Sequence, residues 1–109
     1  MASLYAVHYS GQTEAGGGAM YVGNGVVAGF DIYGGRYKGT YTENGERITA
    51  AVTLSMPGGG VLATGEQLPA GASIQILADW PADLGNSTQQ LQIGERSSQI
   101  TFNKMADIP

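Results

Sequence analysis

The sequence predicts an all-β domain, a small closed antiparallel barrel of about eight strands, on three observations. Two Asn-Gly pairs, Asn24-Gly25 and Asn44-Gly45, each stand between short apolar or aromatic runs. That is the local pattern of tight hairpin turns, whose central positions need φ > 0. The run from Ile48 to Met56 alternates apolar with small or polar residues at a period of two, a spacing that a helix cannot keep on one face. Glycine supplies 18 of the 109 residues, well above the usual ~7%. It falls at turns and inside apparent strands, where it marks bulges and sharp bends. A sheet bent so often can coil until its edges meet, which removes the exposed edges of an open sheet.

Taken in order, Leu4 to Ser10 forms the first strand, alternating Leu4, Ala6 and His8 against Tyr5, Val7 and Tyr9. Bulk on both faces marks it as half-buried or more. Gly16 to Val22 is the second strand and Val26 to Asp31 the third, joined through Asn24-Gly25, with Tyr33-Gly34-Gly35 as the next connection. Arg36 to Thr42 has the cleanest amphipathic pattern, with Tyr37, Gly39 and Tyr41 on one face and Arg36, Lys38, Thr40 and Thr42 on the other. Glu43 to Glu46 closes that hairpin, and Ile48 to Met56 follows until Pro57-Gly58-Gly59-Gly60 ends it. Val61 to Thr64 reads as a short strand and Leu68 to Gly71 as a turn. Ser73 to Trp80, Thr88 to Ile93 and Gln99 to Lys104 complete the set, with Met105 to Pro109 as a fraying tail. The expected interior comprises Ala6, His8, Met20, Val22, Val26, Ala28, Phe30, Tyr37, Tyr41, Ile48, Val52, Leu54, Ile74, Ile76, Leu91, Ile93, Ile100 and Phe102.

A chain of this length buries one core, so residues 1–109 are read as a single domain. Nine carboxylates against five basic residues leave a formal charge of -4. The basic residues are scattered, so direct nucleic-acid binding, which needs a positive footprint, is not expected. The absence of cysteine excludes disulfides and thiolate metal sites. Residues 1–4 have neither a basic nor an apolar leader segment, and no run approaches the roughly 20 apolar residues that cross a bilayer. A soluble cytoplasmic protein with no membrane contact is the expectation.

His8, the one histidine, needs a nucleophile or acid within hydrogen-bond reach to act in catalysis, and Ser10, Asp31 or Asp79 lies across a strand only in some registers. The simpler reading is a structural histidine, and no catalytic residue is assigned. The carboxylates sit mainly at expected turns, as solvated loops do, and suggest neither an acid/base pair nor a metal site. Asp31, before Tyr33-Gly34-Gly35, suits an acceptor for backbone N–H groups of that turn. Gly16-Gly17-Gly18 and Gly58-Gly59-Gly60 lack the Gly-Lys-Ser/Thr sequence and the helix of a phosphate loop. The tyrosines, concentrated in the first half, fit core, interface or ligand contact.

The succession Leu4-Tyr5-Ala6-Val7, Gly16 to Met20, Asn24-Gly25, Gly29-Phe30-Asp31 and Tyr37-Lys38-Gly39-Thr40-Tyr41, then an acidic turn before the next strand, resembles the GrlR family of negative regulators of type III secretion. The resemblance covers residues 3 to 56 and, by strand count only, the remainder. It implies an eight-stranded, up-and-down, lipocalin-like barrel that forms a homodimer, has no enzymatic activity or cofactor, and restrains a transcriptional activator by binding it. It also implies that Glu43, Asn44, Gly45 and Glu46 contact the partner. Glu43 and Glu46 match the family's acidic run, whereas Asn44 and Gly45 depart from it. The alternative is a barrel holding a small apolar ligand, lined by Met20, Phe30, Tyr37 and Tyr41.

Overall fold

The computed structural model describes residues 2–10, 15–32, 34–61, 67–93 and 96–109. Among the described residues the chain forms β1 (Ala2–Ser10), β2 (Ala15–Gly23), β3 (Val26–Asp31), β4 (Arg36–Asn44), β5 (Arg47–Met56), β6 (Gly60–Val61), β7 (Gln67–Leu68), β8 (Ala72–Pro81), β9 (Asn86–Ile93) and β10 (Arg96–Ile108). Eight of these close into an antiparallel barrel in the order β1-β10-β9-β8-β5-β4-β3-β2, while β6 and β7 pair separately in the connection between β5 and β8. No helix among the described residues is long and apolar enough to cross a membrane.

The first hairpin turns at Asn24 and Gly25, both with positive φ (55° and 78°), as a type I′ loop requires. The second lies one residue later than its Asn-Gly pair suggests. Asn44 pairs with Arg47, so the loop is Gly45-Glu46, and only Gly45 has positive φ (70°), the pattern of a type II′ turn with glycine first. Asp31 does cap the next turn: its Oδ1 accepts the Gly35 N–H at 3.1 Å.

Two strands face the opposite way from the expectation. In β3, Val27 is fully buried, whereas Val26 and Phe30 are exposed and Ala28 is half-buried. The two-residue loop explains this: it pairs Val22 with Val27 and Met20 with Gly29, and directly opposed side chains share a face. With Met20 and Val22 inside, Val26, Ala28 and Phe30 must point out. In β1, Tyr5 pairs with Met20, so Tyr5, Val7 and Tyr9 fill the interior while Ala6 is half-buried and His8 exposed on the outer face.

The core runs through the lumen as one cluster in which Trp80, Phe102, Ile48, Met56, Leu84 and Ile100 are at most 2% exposed. Phe102 meets Tyr5 and Trp80 edge-on, with ring centroids 5.4 and 5.1 Å apart, the favoured arrangement for aromatic pairs. The seam between β8 and β9 is thin, with Ile76↔Ile93 and Leu77↔Gln92 as its register pairs. Trp80 reinforces it, because its indole N–H donates to the Gln90 carbonyl at 2.8 Å.

β10 extends past the expected end at Lys104. Rather than fraying, Ala106 to Ile108 pairs with Ala2 to Leu4, after a bulge opposite Leu4/Tyr5. Of the short strand expected at 61–64, Val61 pairs with Gln67 and residues 62–64 lie outside the described residues.

Candidate functional site

The four residues of the β4–β5 hairpin do not form one patch. Glu43 pairs with Ile48, an inward residue, so its side chain belongs to the barrel mouth; Asn44, Gly45 and Glu46 are exposed at the tip. The tip is tied to the β8–β9 connection, since the Ala82 N–H donates to the Glu46 carbonyl at 2.7 Å.

The four candidate ligand-lining residues also separate. Met20 and Tyr37 are 3% and 5% exposed within the packed core, whereas Phe30 is 56% exposed on the outer face. Tyr41 is half-buried against the core and lines the mouth. The parity set by the Asn24-Gly25 loop is what takes Phe30 away from the lumen.

Two concavities lined by described residues lie on this part of the barrel. The mouth is a cup of about 430 Å³. Tyr5, Val22, Tyr41 and Ile48 form its apolar wall, and Glu43, Asp83 and Lys104 bring charge to it from three different elements. The β1–β10 bulge sets the far side. Lys104 stands opposite Tyr5 just before it, and the bulge brings Asp107 opposite Ser3, a typical use of a bulge to re-aim a side chain. Lys104 Nζ lies 3.3 Å from Asp107 and 3.9 Å from Asp83, and the Ser3 hydroxyl donates to Asp107 at 2.9 Å. The hydrogen bond to Asp107 holds the Lys104 ammonium above the usual lysine value. The Ser3 hydroxyl, then Lys104, hold the Asp107 carboxyl below the usual carboxylate value.

Sequence reasoning missed Lys104, Asp83 and Asp107. The continued alternation Ile100, Phe102, Lys104 was the signal for the first. The other two depend on how the β8–β9 connection and β10 fold over the mouth.

The second concavity, about 530 Å³, is a shallow trough on the outside of β4, β5 and β8. Its floor is a row paired in register: Thr40 with Ala51, and Ala51 with Leu77. Val26 extends the row on β3 by pairing with Thr40. Leu77 and Val26 are 54% and 42% exposed. Arg36 and Lys38 stand at one end of this face and Asp79 at the other, with Arg47 Nε 2.9 Å from Asp79.

Within the lumen, the Tyr9 and Tyr37 rings stack with centroids 5.8 Å apart. Burial pushes both hydroxyls above the ordinary tyrosine value, with neighbouring charge adding to it. The Tyr9 hydroxyl is buried beside that of Tyr37, with no hydrogen bond of ordinary geometry among the described residues. No group of three His, Asp or Glu among the described residues is placed to hold a metal ion, and His8 has no ion-pair partner among them. No family model, curated protein or solved structure matches the chain.

Proposed function

We propose that this is a non-catalytic cytoplasmic binding protein that self-associates as a homodimer and restrains a protein partner, with a transcriptional activator as the partner class implied by the resemblance of residues 3 to 56. The observation that carries the reading is the outer face of β3, β4, β5 and β8. Its central row, Val26–Thr40–Ala51–Leu77, carries no charge, and Phe30 stands 56% exposed on the same face, two rows away and opposite Arg36. Exposed apolar side chains on one face favour a protein surface over water.

A two-fold axis along the central row would bring the same uncharged row of two copies together, and an isologous contact needs such a shared patch. Glu43, at the barrel mouth, and Glu46, in the hairpin loop, are exposed and open to a partner.

Mass measurement by light scattering tests this. The wild-type chain is expected at twice its monomer mass at micromolar concentration, and Leu77→Asp at monomer mass with its β-sheet circular dichroism retained. A wild-type monomer at 100 µM overturns the homodimer. For the partner, Glu43→Ala/Glu46→Ala is expected to abolish co-purification of a protein that the wild-type chain retains; unchanged retention removes the hairpin from the proposal.

Supporting a carrier of apolar ligands would need the four candidate lining residues to converge. Phe30 faces out and Met20 and Tyr37 pack in the core, so the binding-protein reading is preferred.

A further inference from the structure

We infer that the mouth of the barrel is a binding site for a primary ammonium group carried on a short apolar stem. The cup, about 430 Å³, falls within the range of small-molecule sites, which favour the mouths of β-barrels. Its lining is of two kinds. Val22, Ile48, Tyr5 and Tyr41 supply apolar wall, and Glu43 and Asp83 supply carboxylates from β4 and the β8–β9 connection. A ligand that satisfies both must be apolar along one end and positive at the other.

The charge balance selects the sign. Among the described residues Lys104 is the one cation lining the cup, and it is already engaged by Asp107 and Asp83. Glu43 has neither an ion pair nor a side-chain hydrogen bond among the described residues. The cup therefore offers an unanswered negative charge beside apolar and aromatic surface. An anion meets repulsion from Glu43 and Asp83.

Lys104 itself illustrates the fit. It carries an ammonium at the end of an alkyl stem, opposite Tyr5 in the β1–β10 register, with its head between two carboxylates. Long cationic side chains commonly lay their methylenes on apolar surface in this way. The ligand repeats the arrangement on the Glu43 side. The inference is independent of the outer face, so its failure leaves the proposed homodimer untouched.

The test is an NMR titration of the full chain with n-hexylammonium, hexanol and hexanoate at equal concentrations. Hexylammonium is expected to bind tightest, shifting the amides of residues 41–43 and 82–84, and to weaken as salt rises. Glu43→Gln, which keeps the shape of an exposed side chain, is expected to weaken hexylammonium about fivefold, as for an exposed ion pair, and to leave hexanol unchanged. Lys104→Met, which frees Asp83 and Asp107, is expected to tighten it. Equal binding of hexanol and hexylammonium, tighter binding of hexanoate, or an unchanged affinity in Glu43→Gln overturns the inference. A further arm with Nα-acetyl-lysine methylamide distinguishes the sources of the group. Affinity equal to hexylammonium assigns the site to lysine side chains, and weaker affinity assigns it to free amines.

Discussion

Two arcs of the barrel wall close the same lumen by opposite means. In β2, β3 and β4 the inward positions include Gly29 and Gly39, and neighbouring strands press onto them: a side chain at Gly29 would run into the Ala19 carbonyl oxygen, and one at Gly39 into that of Ala51. In β5, β8, β9 and β10 the inward positions are filled, by Ile48, Val52, Leu54 and Met56 on β5 and by Trp80, Ile93 and Phe102 beyond it. One arc supplies curvature and the other supplies volume. The chain's two phenylalanines show the difference, since Phe102 on the filled arc is fully buried and Phe30 on the glycine arc is 56% exposed. Met20, Val22, Val27 and Tyr37 still fill the lumen from the glycine arc, and Phe30 turns outward because the two-residue loop sets the parity of β3.

Substitutions on each arc should separate the two roles. The largest effect is expected on the filled arc. Trp80→Ala removes a side chain that is 1% exposed and the bond that reinforces the β8–β9 seam, and should cost about 3–5 kcal/mol in urea unfolding. A loss below about 1 kcal/mol would mean that the wall, and not its contents, stabilises the barrel.

Gly39→Val tests the glycine arc. Crowding the β5 backbone should cost about 1–3 kcal/mol, whereas Ala51→Val, on the exposed face of the next strand, should stay within about 0.5 kcal/mol. Equal effects would erase the distinction between the faces.

The stacked tyrosines, Tyr9 on β1 and Tyr37 on β4, give a pH dependence. Burial raises both hydroxyls above the ordinary 10.0, so the unfolded chain ionises first as the solution becomes alkaline. Their contribution is complete below pH 10.0 and declines as pH rises toward the folded values. The urea midpoint should therefore hold from pH 7 to 9 and fall above 10, with a shallower fall in Tyr9→Phe/Tyr37→Phe. Equal slopes would remove these hydroxyls as the cause.

The smallest effect is expected at Phe30→Ser, within about 0.5 kcal/mol of wild type by thermal unfolding, because the ring stands on the outer surface. A large loss would place Phe30 in a buried contact and undo the comparison at its clearest point.

Much of this architecture was legible in short-range pattern. The alternation of β4 and β5 is found on the faces expected, and Asn24-Gly25 makes the turn its composition demands. The outward direction of β3 was legible too. A two-residue loop after Gly23 pairs Val22 with Val27, and that pairing carries the inward face of β2 onto Val27 and Gly29. β1 offered no such rule, because a longer connection, 11–14, separates it from β2 and leaves the parity open. The hairpin showed the same limit for the site: its acidic composition was evident, but the division of Glu43 from Glu46 followed from the register, which pairs Glu43 with inward Ile48 and leaves Glu46 in the loop.

Local pattern set the class of fold, the strand order through the first hairpins and the positions of tight turns, because period-two alternation and positive-φ residues act over a few neighbours. Only the closed sheet brings β1 onto β10, turns Asp107 at the bulge toward Lys104 at the mouth, and sets Glu43 and Asp83 around one cup. These residues are up to a hundred positions apart, and their meeting depends on closure of the whole sheet, which no local pattern encodes.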